Sequence, residues 1–263
     1  MRRRRTWFHA WILCSLWAAC GSPPSAGWSH DQAALRHVSM YTYKYLGLTV
    51  AQGSMSVSDS TDENGHPLTL IEAHASSSSP TSFLFKIHNR YTTTIDGRTG
   101  YPVTYEKSIL QSNFEEQRLI RFDQEQGCVY GGSDESVSSP GPVHNFFSAL
   151  YSVVNHPFQS REVLHIPIYA AGRIWNVKAE ALQAEKVMTP TGSFLTVLVE
   201  IECCPSASGD DFRIDTDVLT NRLISGGKKT RLWISTGKIQ TLIKGEYELY
   251  PTALQMILTD YHQ

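Results

Sequence analysis

Apolar and polar residues alternate with a period of two through most of this chain. In FLFKIHNRY, Phe83, Phe85, Ile87 and Tyr91 fall on one side, with Lys86, His88 and Arg90 on the other. LTVLVEIE repeats the arrangement, setting Leu195, Val197, Val199 and Ile201 against Thr196, Glu200 and Glu202. Successive side chains of a strand point to opposite faces, so the pattern predicts a sheet with one dry and one wet face. SMYTYKYL, QRLIRFD, EVLHIPIY, IWNVKAEAL, TRLWIST and TLIKGEYEL read as further strands. Turn pairs punctuate them at Asn64-Gly65, Asp96-Gly97, Thr99-Gly100, Ala171-Gly172, Thr191-Gly192 and Thr236-Gly237.

One stretch changes period. In VHNFFSALYSVVNH, Val143, Phe146, Phe147, Leu150, Tyr151 and Val154 recur at helical spacing, and Pro157 ends the run. The whole predicts an antiparallel all-β protein with one docking α-helix. From about Gly27 to Gln263 there is length enough for one sizeable core, with no internal linker and no repeat.

The N-terminus has a different logic. MRRRRTWFHAWILCSLWAAC opens on four arginines and then runs apolar from Trp7 to Ala19. A cationic start, a short apolar core and small residues at its end predict a secretory signal over residues 1–19. The run is shorter than the roughly 20 residues of a spanning helix. Its end resembles a bacterial lipoprotein box: Ala18 and Ala19 precede Cys20, and Gly21-Ser22-Pro23-Pro24 is a flexible polar tether. That resemblance implies acylation of Cys20 and a tether over residues 20–35, which leaves residues 36–263 as a single domain, expected below to be a β-barrel. Trp17 departs from the box, and cleavage near Pro24-Ser25-Ala26 is the competing reading.

Export changes the charge. Loss of residues 1–19 takes Lys+Arg from 23 to 19 against 25 Asp+Glu, a net charge of −6 instead of −2. Such a chain has no electrostatic footprint for nucleic acid and no polybasic route to anionic lipid. Its expected place is the periplasmic side of the bacterial outer membrane, or the soluble periplasm.

Several segments, in order, resemble one family. YKYLGLTVAQGSMSV, TSFLFKIHNRYTTTIDGRTGYPVTYEKSI, HNFFSALYSVV, VMTPTGSFLTVLVEI and TRLWISTGKIQTLIKGEYEL are similar to the exported bacterial family known as domain of unknown function 3108. The likeness runs roughly from Tyr41 to Leu258. It implies an up-and-down β-barrel of the YceI-like, lipocalin-like kind, some of which hold an isoprenoid lipid, and implies no activity. His144-Asn145 stands where the family helix usually begins with an acidic residue, which weakens the capping expected there.

A barrel of about eight strands is either filled by side chains or just wide enough for one small ligand. If it is hollow, the apolar faces of the two strands above, Phe83, Phe85 and Ile87 with Leu195, Val197 and Val199, are the expected lining. A transmembrane barrel would put its apolar face outward, and the C-terminus Asp260-Tyr261-His262-Gln263 lacks the terminal aromatic such barrels carry.

No catalytic, cofactor or metal site is nominated, and the chain reads as a non-enzyme. The ten histidines include no HExxH and no pair at metal-ligand spacing. Ser235-Thr236-Gly237-Lys238 matches S-x-x-K, but at a turn, where that chemistry needs a helix face. Asp210, Asp211, Asp215 and Asp217 lack EF-hand spacing and read as a solvated loop. Cys128, Cys203 and Cys204 remain in an oxidising compartment, and a bridge from Cys128 to one of the other two is one expectation. Three roles therefore stand: an envelope lipoprotein whose barrel binds a lipid or other apolar molecule, a structural or assembly factor that contacts envelope proteins through its outer surface, and, last, an enzyme whose site no motif marks.

Overall fold

The computed structural model describes residues 33–78, 86–112, 114–131, 136–206, 217, 220, 223–224 and 228–262. Its strands are β1 (Ala34–Tyr45), β2 (Leu48–Thr61), β3 (Pro67–Ser77), β4 (Ile87–Asp96), β5 (Pro102–Gln111), β6 (Phe114–Asp123) and β7 (Cys128–Tyr130). They continue as β8 (Ser136–Ser138), β9 (Val163–Ala170), β10 (Arg173–Thr189), β11 (Gly192–Pro205), β12 (Thr230–Ser235), β13 (Leu242–Leu249) and β14 (Thr252–His262). Helix α1 (Phe146–Asn155) lies between β8 and β9. Each predicted turn pair falls between consecutive strands. Eight of these strands were read from the sequence; β2, β3, β5, β7, β8 and β14 were not, and in β2 the inward Ala51, Gly53, Met55 and Val57 include small residues that make a faint stripe.

All fourteen strands belong to one antiparallel sheet in the order β8-β7-β6-β5-β4-β3-β2-β1-β14-β13-β12-β11-β10-β9. Every strand but those at the edges pairs with its chain neighbours, and β1 pairs with β14, so the ends of the domain lie side by side. The layout is an up-and-down barrel opened between β8 and β9. It has more strands than the eight expected, and its edges do not pair.

The edges overlap instead. Ile168 of β9 belongs to a core cluster with Val177, Val199 and Leu232, while its neighbour Tyr169 belongs to a second cluster with Tyr105, Ile120 and Phe122. The Tyr169 and Phe122 rings meet edge to face, 6.3 Å apart. Adjacent residues of one strand face opposite ways, so the C-terminal end of β9 sits between two apolar layers. The sheet curls past itself, and both faces of its inner edge are covered.

Helix α1 fills the middle of the curl. Ala149, Val153 and Val154 pack into the first cluster and Phe147 into the second, as the apolar stripe predicts. Its start corrects the expectation of a weak cap. Asn145 Oδ1 accepts from Phe147 N at 2.9 Å and Ser148 N at 3.0 Å, and Ser148 Oγ accepts from Asn145 N at 3.0 Å. This reciprocal capping box satisfies the orphan donors of the first turn without an acidic residue. His144 ties the helix to the sheet edge: its N–H donates to Pro167 O and its carbonyl accepts from Tyr169 N at 2.7 Å.

Candidate ligand cavity

The interior has two characters. Around β4–β6 it is laced with polar groups. Lys107 is buried there with Nζ 3.8 Å from Glu116 Oε2, beside a void of about 20 Å³ that has room for one water. Toward β9–β14 it is apolar and hollow. A cavity of about 310 Å³ extends from α1 to the end of the sheet where β1 turns into β2 and β13 into β14.

Small residues explain the hollow. Ala73, Ala75, Ala149 and Gly245 stand on the wall, so strands and helix present little there to fill the space. At Gly53 a Cβ would lie 2.9 Å from the Tyr43 ring and 2.9 Å from His74 O, so glycine lets that ring lie flat on the neighbouring strand. Phe146, Phe147, Leu150, Ile201, Leu232 and Met256 are among the larger apolar side chains that line it.

Two groups on the wall carry the mark of burial. Burial pushes the Tyr43 hydroxyl up to about 12 and, with the nearby Cys204 charge, the Cys203 thiol up to about 12. Tyr41 is held protonated by burial and donates to Leu242 O at 3.1 Å.

One side of the wall is polar in a specific way. Tyr91 donates to Asp217 Oδ1 at 2.9 Å and accepts from Asn89 Nδ2 at 2.8 Å, while Thr220 Oγ1 donates to Asp217 Oδ2 at 2.6 Å. Asp217 has no exposed surface. Burial, then the Asp217 charge, pushes the Tyr91 hydroxyl up. The expectation of a solvated loop is therefore corrected at this residue; Asp210, Asp211 and Asp215 lie outside the described residues. The overlooked signal was Thr220 three residues on, whose N–H donates to Asp217 Oδ1 at 3.4 Å in the manner of an N-cap.

The expected lining is only partly assembled. Phe83 and Phe85 lie outside the described residues, as does Cys20. Ile87 is half-buried on the same side of β4 as Tyr91, but Tyr91 is the residue at the cavity. Val199 is fully buried and Val197 packs partly buried against the same cluster, yet Ile201 and Cys203 form the β11 wall. Leu195 is 61 % exposed, which corrects its assignment. Pairing of β11 with β12 ends at Thr196↔Ser235, and pairing of β10 with β9 ends at Glu180↔Val163. Beyond those points the β10–β11 hairpin runs past its neighbours, and alternation alone cannot show where a strand leaves the sheet.

The predicted disulfide is absent: Cys128, Cys203 and Cys204 are free. Cys203 lines the cavity, Cys204 is exposed, and Cys128 Sγ lies 3.7 Å from Gln126 O, so the three thiols have separate surroundings. Ser235 Oγ accepts from Thr241 N at 2.8 Å within a strand-end turn, as befits a structural residue.

Comparison with known proteins agrees with this architecture. The profile of the family described as protein of unknown function, DUF3108, matches residues 38–255. A β-barrel-like protein of domain of unknown function DUF1849 from Brucella abortus superposes with a TM-score of 0.54 at 8% identity, over 87% of this chain and 97% of that one. An exported-type protein with a YmcC-like fold from Bacteroides fragilis gives a TM-score of 0.38 at 10% identity, over 86% and 95%. A search of curated proteins finds no match.

Proposed function

This chain belongs to the DUF3108 family, and from that premise we propose that it is a non-catalytic cell-envelope protein whose curled sheet holds one lipid or other apolar molecule. The cavity carries the reading. At about 310 Å³ with apolar walls, it falls within the range of small-molecule sites, roughly 300–1,000 Å³. Leaving an apolar hollow of that size unfilled costs the packing contacts its walls would otherwise make. An assembly factor working through its outer surface gains nothing from such a void, whereas a ligand that fills it offsets the cost.

The N-terminal signal favours export, and acylation of Cys20 would hold the protein on a membrane; intact mass of the mature N-terminus tests this, and an unmodified end beyond Cys20 would refute it. The ligand reading is tested by native mass spectrometry and lipid extraction of protein purified from its own envelope. One apolar molecule per chain is expected, and Ala75→Phe, which places a ring in the cavity, should lower the yield about tenfold or more while the protein stays folded. Wild-type protein with no extractable ligand, or folded Ala75→Phe protein with undiminished ligand, would overturn it.

A further inference from the structure

Large exposed apolar side chains gather where the cavity approaches the surface. Leu46 and Leu48, on the β1–β2 turn, are 62 % and 67 % exposed, and Tyr250, on the β13–β14 turn, is 91 % exposed. The two turns are side by side, because β1 pairs with β14 and Tyr45 OH donates to Tyr250 O at 2.8 Å. Leu249, Leu254 and Tyr43, adjoining these tips along the same strands, line the cavity. Apolar surface therefore runs from the tips to the interior.

The turn itself is built against local preference. Leu46 has φ 52 and Gly47 φ 78, the left-handed pair that two-residue hairpins usually fill with Asn-Gly. Among the described residues, four non-glycine residues have positive φ, and Leu46 is the only large apolar one. A bulky side chain in that region is uncommon, and backbone strain of this kind concentrates at functional positions.

We propose that the tips Leu46, Leu48 and Tyr250 dip into a lipid bilayer, so that an apolar molecule passes between membrane and cavity without crossing water. The transfer role rests on the ligand reading above. A bilayer is the occupant because the exposed side chains sit on two adjacent turns whose strands line an apolar cavity. An aromatic beside aliphatic side chains is also the composition that settles at a membrane interface. A second exposed apolar pair, Met188 and Leu195 on the β10–β11 hairpin, lies at the opposite end of the sheet, and neither residue lines the cavity.

The test uses the full exported chain carrying Cys20→Ser, so that no acyl anchor contributes, and vesicles of phosphatidylethanolamine and phosphatidylglycerol. The chain should co-sediment with vesicles, and adding Leu46→Asn, Leu48→Thr and Tyr250→Ser should weaken partitioning about tenfold or more. Leu46→Asn suits the left-handed position, so loss of fold cannot account for that result. A Met188→Ser, Leu195→Ser control should partition as before. No vesicle binding by the Cys20→Ser chain, undiminished binding by the tip variant, or an equal loss in the control overturns the proposal. Lipid extraction from the same samples reads the cavity separately: ligand present without vesicle binding refutes the tips alone, and vesicle binding without ligand refutes the transfer role and the cavity reading.

Discussion

Phe147→Ala measures how far α1 belongs to the core. The ring is buried, 4.9 Å from Tyr91, 5.1 Å from Phe146 and 6.2 Å from Tyr105 by centroid. Truncating a buried Phe to Ala typically costs about 3–5 kcal/mol, from lost transfer free energy and the space left behind. Here part of the ring already borders the cavity, so it has fewer packed neighbours to lose, and a cost near the low end, about 3 kcal/mol, is expected. For a domain of this size each kcal/mol moves Tm by roughly 2–4 °C, which gives a fall of about 6–12 °C. Thermal unfolding followed by far-UV circular dichroism reads it directly. Both proteins must be stripped of lipid first, because a bound ligand raises apparent stability by mass action. A shift within about 2 °C would refute the reasoning. The helix would then be a detachable element, and a role in contacting envelope proteins would gain ground.

Two further outcomes follow from buried titratable groups. His144 is held to about 4 by burial, below its ordinary 6.5; its neutral form is the folded one, so its stabilising contribution is complete above pH 6.5 and is lost as pH falls toward 4. A fall on the order of 3 kcal/mol across that window is expected, and acid unfolding of His144→Gln should show a shallower slope there; an unchanged slope would refute it. Cys203, inside the cavity with its thiol pushed up to about 12, should alkylate far more slowly than exposed Cys204. Peptide mass spectrometry after timed iodoacetamide treatment checks the order, and equal rates would mean that the wall is wet.

The sequence by itself determined many of the elements. Alternation of period two needs only local sterics and one dry face, so the stripes through Tyr91 and Val199 marked strands correctly, and the helical spacing through Phe147 marked α1. Glycine-containing pairs marked several turns, and four of them have the glycine at positive φ, a local demand. The order of segments also carried the family, now matched over residues 38–255. The tertiary structure decided everything that depends on curvature. Whether fourteen strands close, or curl until Tyr169 meets Phe122, depends on twist summed over the whole sheet. Likewise, Leu195 and Ile201 carry the same signal in the same strand, yet one is exposed past the last residue paired with β12 and the other lines a cavity. Burial of Asp217 depends on Tyr91, which is distant in the chain, and the hollow interior depends on which small residues face one another across the curl. A one-dimensional pattern shows which side of a strand is dry; only the packed molecule shows whether that side meets another side chain, solvent or empty space.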